Sequence, residues 1–154
     1  MPDNEDTRLH RTIIAGVDGS PAGARALRWA VSEAGRRGGE VHAITVRERD
    51  ELLPGTSFAI QPHGRRPVAD EATERAHLHS QVLAAGGEGV PVTETVVTGD
   101  PATELIKASA DADLLVVGSH GHGPLSEVLL GSAAADCVRH AQCPVVLIPA
   151  ASLR

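Results

Sequence analysis

Residues 113–123 read "DLLVVGSHGHG". The run over 113–118 is apolar on both faces, where a half-solvated strand would alternate. A strand of that kind is buried from both sides and belongs to a parallel sheet sandwiched between helices. Working outward, the same unit recurs. "TIIAGVD" (12–18), "EVHAITV" (40–46), "VPVTETVVTG" (90–99) and "CPVVLIP" (143–149) have the length and β-branching of strands.

Helical periods fill the gaps. Ser20 is placed to cap a helix with Pro21 in its first turn, Leu27, Ala30, Val31 and Ala34 share one face, and Gly38-Gly39 stops it. A second helix spans 68–87, with Val68, Ala72, Arg75-Ala76, His79 and Leu83 phased at three to four. A third opens on Asp100 as N-cap and Pro101, and buries Leu105, Ile106 and Ser109. In the fourth, Leu130, Ala133, Ala134, Cys137, Val138 and Ala141 recur at helical spacing. Strand and helix alternating to the end, with right-handed crossovers, predict a doubly wound α/β domain. Ligands of such sheets sit at the carboxyl ends of the strands. There the first strand carries Asp18 and the fourth Gly118.

Composition narrows the function. The 154 residues suit one domain, over 11–150, after a loose tail at 1–10. Hydrophobic residues make up 42% and aromatics 1%, so the core is built from Val, Leu, Ile and Ala. A net charge of −6 argues against a nucleic-acid binder, which needs a basic face. It leaves room for a small anion held by backbone groups. The start, "MPDNEDTRLHR", is no secretory signal, and no apolar run approaches the roughly 18 residues of a membrane span. A cytoplasmic protein with Cys137 and Cys143 as free thiols follows as the expectation. Residues 47–67 contain Pro54, Pro62 and Pro67 and keep no period; so long a loop is functional or mobile.

The chemistry centres on Gly118-x2-Gly121-x9-Gly131-Ser132. Glycine lets backbone approach a ligand closely. Gly131-Ser132 opens the fourth helical repeat, and a helix N-terminus offers free N–H groups and about half a positive charge. An anion site built from backbone needs no lysine. The competing reading is a glycine turn shaped by packing alone. The pattern is neither a Walker A loop nor a dinucleotide fingerprint, and it lacks the Ser-Gly-Gly run of ATP pyrophosphatases. His120-x-His122 is half a metal site with no Cys or acid at matching spacing, so protein-only zinc is not expected. A magnesium or manganese ion held through phosphates fits better. Ser119, His120 and Asp18 do not form a nucleophilic triad, because adjacent Ser and His lack nucleophile–base geometry. His77-x-His79 is spaced i, i+2 and shares no helix face, so both are expected in solvent.

These motifs together resemble those of the universal stress proteins. "TIIAGVDGSPAGARALRWA" is similar to the family's first strand–helix unit, and "VVTGDPATELIKASADADLLVVGSHGHG" to its third and fourth. Gly118-x2-Gly121-x9-Gly131-Ser132 matches the pattern of its ATP-binding branch. The resemblance, over about residues 11–149, implies a sheet ordered 3-2-1-4-5, an ATP site and a homodimer formed partly through the last strand, Pro144–Pro149. Position by position, it implies that Asp18, with Gly16 and Val17 beside it, meets the nucleoside and Val46 the adenine. Gly118 and Gly121 meet ribose and phosphate, with His120 between them. Gly131, Ser132 and Ala133 donate to the phosphates. Similar proteins often carry Arg or Lys after the second glycine, where this chain has His122. A neighbouring phosphate would favour its charged form. The implied role is nucleotide-dependent regulation of stress response or dormancy. A slow ATPase or nucleotidyl transferase, and an interaction protein that no longer binds nucleotide, are the alternatives.

Overall fold

The computed structural model describes residues 12–48, 70–120 and 130–149. The tail at 1–10, the 47–67 stretch beyond Glu48, Gly121 and His122 lie outside the described residues. In chain order the elements are β1 (Thr12–Gly16), α1 (Pro21–Arg37), β2 (Glu40–Arg47), α2 (Glu71–Ala84), β3 (Val92–Thr98), α3 (Pro101–Ser109), β4 (Leu114–Gly118), α4 (Ser132–His140) and β5 (Val145–Ile148).

The five strands form one parallel sheet ordered β3-β2-β1-β4-β5. β1 is central: Ile13 pairs with Val41 on one side and Leu114 on the other. The double burial expected for β4 is real, and period two sorts it. Leu114 and Val116, with Ile13, Ala15 and Val17, face the layer of α1 and α2. Leu115 and Val117, with Ile14, face that of α3 and α4. Ile13, Leu27 and Leu115 are fully buried, each worth about 1.5–3 kcal/mol against exposure.

Helix ends follow their sequence signals. Ser20 Oγ accepts from the Gly23 N–H at 3.0 Å, and Gly38 closes α1 at φ 64°. Asp100 Oδ2 accepts from the Thr103 N–H at 3.0 Å and from its hydroxyl at 2.8 Å. These bonds, the backbone one foremost, hold the Asp100 carboxyl below its ordinary pKa.

The face of α2 departs from the phasing expected of it. Leu78 is its buried residue, with Val82 and Ala85 packed beside it, whereas Arg75, Ala76 and His79 are exposed and Leu83 is 69% exposed. Val68 is outside the described residues. His79 is exposed yet not merely solvated: its Nδ1 lies 3.0 Å from Glu94 Oε2 on β3. In α4, Ala134 and Cys137 point inward while Val138 is exposed. Trp29 packs against the α1-side core, partly buried.

Candidate functional site

Because β1 and β4 are neighbours, their carboxyl ends share one edge of the sheet. Val17 continues β1 there with its backbone committed to β2. Its N–H donates to the Ile44 carbonyl, and its own carbonyl accepts from the buried Thr45 hydroxyl, both at 2.9 Å. Gly16 lies under α3, where a Cβ would sit 3.0 Å from Leu105 Cδ1. Val46 is half-buried on that same α3-side layer.

Asp18 is exposed and folds back over the start of α1. Its Oδ1 accepts from the Ser20 N–H at 2.9 Å and from the Ser20 hydroxyl. It sits so close to Gly23 that a Cβ there would be 2.5 Å from Oδ1. The N-terminus of α1 therefore already carries a cap and a carboxylate.

Gly118 touches the same turn of α1. A Cβ on it would stand 2.7 Å from Ala22 Cβ, 2.9 Å from the Ala22 carbonyl carbon and 3.0 Å from the Gly23 nitrogen. Packing alone requires glycine here, whatever else this residue does. The sequence had left close ligand approach and packing as rival reasons for the glycine, and the α1 contact supplies the second.

Beyond Gly118 the chain is tied on both sides. The Ser119 N–H donates to the Ile148 carbonyl at 2.8 Å, and the Ser119 carbonyl accepts from the Gly131 N–H at 2.7 Å. The second bond sets the start of α4 against the end of β4. Gly131 is the N-cap, with extended backbone (φ −67°, ψ 155°) and no side-chain cap bond, and Ser132 and Ala133 follow as the first helical residues. The helices α1, α2 and α3 are each closed by a side chain, from Ser20, Asp70 and Asp100. The α4 N-terminus is thus the one among the described helices that presents its first N–H groups without such a cap.

Two residues outside the expected site belong to this edge. Ser119 is 9% exposed, and its Oγ lies 3.0 Å from His120 Nδ1. In sequence its one signal is the adjacent His120, and adjacency rules out only a nucleophile–base pair. Arg47 ends β2 at the same edge, a basic residue closing an apolar strand. After the Thr73 hydrogen bonds, it helps hold the Asp70 carboxyl below its ordinary pKa. Among the described residues no group of three or more His, Cys, Asp or Glu is placed to hold a metal ion. No described helix is long and apolar enough to cross a membrane. A shallow depression of about 300 Å³ lined by Gly38, Gly39, Glu40 and Pro91 lies at the opposite, amino end of β2.

With this geometry in view, comparison with known proteins is specific. The universal stress protein Rv2005c of Mycobacterium tuberculosis is 36% identical over 141 residues, covering 90% of this chain and 45% of the relative. Rv2623 of the same organism is 36% identical over 145 residues, with 88% and 46% covered. The chain therefore spans about half the length of these curated relatives. Among solved structures, a universal stress protein in complex with cAMP superposes with a TM-score of 0.64 at 24% identity, over 93% of this chain and 99% of that one. The Archaeoglobus fulgidus protein in complex with dAMP superposes at 0.60 and 24% identity, over 91% and 97%. At these identities the likeness establishes the fold. The universal stress protein family model matches residues 10–149, and the chain belongs to that family.

Proposed function

We propose that this chain binds an adenine nucleotide, ATP with Mg or Mn held through its phosphates, at the carboxyl edge of β1 and β4. It acts as a nucleotide-dependent regulator of stress response in the cytoplasm. The observation that carries the reading is the uncapped α4 N-terminus fastened to Ser119 beside the Asp18 turn. N–H groups with no side-chain cap among the described residues, together with the helix dipole, suit a phosphate, whereas the α1 terminus is already occupied by Asp18 and Ser20. The anion thus goes to the N–H groups of Ser132 and Ala133 and the Ser132 hydroxyl, the Gly131 N–H being spent on the Ser119 carbonyl, and the nucleoside lies toward Asp18 and Val46. Gly121 and His122 complete the loop side in this reading. That the similar structures named above hold cAMP and dAMP supports an adenine ligand. The donor set suits a metal that arrives with the phosphates, because magnesium is held by phosphates and few protein groups.

The reading is of a binding module rather than a fast hydrolase, since phosphoryl transfer relies on positioned cations and a positioned base. Two copies join through β5, a sheet edge whose four residues are all half-buried. Pairing that edge across a two-fold axis removes an aggregation risk.

Mass spectrometry of natively purified protein tests the ligand: co-purified ATP is the expected result. ADP or AMP with metal-dependent turnover favours the enzyme, and no nucleotide, with none bound on titration, refutes the site. The double variant Gly121→Ala, Gly131→Ala loses binding; unchanged affinity rejects the assignment. Sedimentation at micromolar concentration gives twice the 16.0 kDa chain mass, and a monomer there removes the dimer.

A further inference from the structure

Ser119 and His120 form a pair at this edge whose proton arrangement can be worked out. Ser119 is held by both of its backbone groups, on β5 through Ile148 and on α4 through Gly131. Its backbone is therefore anchored on both sides, and Oγ meets His120 Nδ1 at 3.0 Å. The hydroxyl has no other bond among the described residues. If Nδ1 carried the proton, the hydroxyl hydrogen would have no acceptor among the described residues. If the hydroxyl donates to Nδ1, that hydrogen is satisfied and the neutral ring keeps its proton on Nε2. His120 Nε2 is itself buried and has no partner among the described residues. A buried donor left without an acceptor is costly, and such a group in a folded protein calls for an explanation.

We infer that Ser119 is a positioning residue: its hydroxyl fixes His120 in the Nε2–H form, and Nε2–H donates to a phosphate oxygen of the bound nucleotide. The acceptor is oxygen-rich and anionic because Gly131, bonded to Ser119, leads straight into the α4 terminus, which from Ser132 onward offers N–H donors rather than acceptors. This inference rests on the nucleotide reading above. It adds a residue, Ser119, which touches no ligand and acts through its neighbour.

The test combines the tautomer with ligand discrimination. In the 154-residue chain with ¹⁵N-labelled histidine, long-range proton–nitrogen correlation shows His120 Nε2 as the protonated ring nitrogen before any ligand is added. The signal is assigned by its loss in His120→Gln. AMP then shifts it, and adenosine does not. Ser119→Ala weakens AMP roughly 2- to 10-fold, the range of an ordinary hydrogen bond, leaves adenosine unchanged and mixes the tautomers; Ser119→Thr restores both readouts. His120→Phe weakens AMP roughly tenfold or more, as for a bond to a charged group. A proton on Nδ1 overturns the inference. Equal weakening of AMP and adenosine in Ser119→Ala does so too, because a merely structural role would produce it. Wild-type protein that binds neither AMP nor ATP overturns the nucleotide reading and this inference together, and is told apart by the tautomer signal, which needs no ligand.

Discussion

Replacing Gly118 by alanine separates what packing demands of this residue from what a ligand demands. Its backbone is not left-handed, so the cost is spatial. The new Cβ meets backbone, the Ala22 carbonyl carbon at 2.9 Å and the Gly23 nitrogen at 3.0 Å, besides Ala22 Cβ at 2.7 Å. None of these is the end of a flexible side chain. Overpacking a core in this way costs about 1–3 kcal/mol. Loss of glycine's freedom in the unfolded chain returns about 0.4–1 kcal/mol. The net expectation is about 1–2 kcal/mol of destabilisation. Gly16→Ala is the internal control. Its Cβ meets only side-chain ends, Leu105 Cδ1 at 3.0 Å and Val117 Cγ1 at 3.3 Å, which can yield, so the two terms roughly cancel. Urea unfolding followed by the single Trp29 measures both variants against wild type with ligand absent. A Gly118→Ala protein within about 0.5 kcal/mol of wild type, a surface-like effect, or a larger loss in Gly16→Ala, would refute the packing argument.

Other outcomes follow from the caps and the thiols. Asp100→Ala removes both bonds to Thr103 and lowers stability by about 0.5–2 kcal/mol, read from the urea midpoint. Because the folded-state pKa values of Asp70 and Asp100 are depressed, their contribution is complete above the unfolded value of about 3.9 and is lost as pH falls through the folded ones. The double Asn variant, which can still cap, therefore shows a shallower loss of melting temperature in acid. Burial foremost, and then Asp136 and Asp100, push the Cys137 thiol up to about 11. At neutral pH it stays protonated and resists alkylation until the chain is unfolded; peptide mapping after native and denaturing iodoacetamide treatment checks this.

Where the sequence could be read and where it could not has a physical pattern. Ser20, Pro21 and Gly38 mark α1 because capping and left-handed closure are local. The apolar run of β4 betrays a sheet covered on both sides because burial on two faces removes alternation. The order of the strands came from family resemblance; spacing alone gave only a doubly wound sheet. The face of α2 is not legible in sequence because small and polar residues dominate that helix, and Leu78 wins its place through contact with a core that no local period reports. Gly118 is ambiguous in sequence since glycine serves close approach to a ligand and close approach to a helix equally well. The partnership of Ser119 depends on Ile148 and Gly131, which only the folded chain brings near.

The bond from Gly131 to Ser119 also makes the edge modular. The chain departs at Ser119 and is required to return at Gly131, so the two ends of residues 120–130 are pinned independently of what joins them. Lengthening a closed loop costs little, about 0.6 kcal/mol for each doubling. A foreign segment spliced between these posts leaves β4, β5 and α4 their anchorage, so this edge of the fold serves as a chassis that tolerates an exchangeable insert.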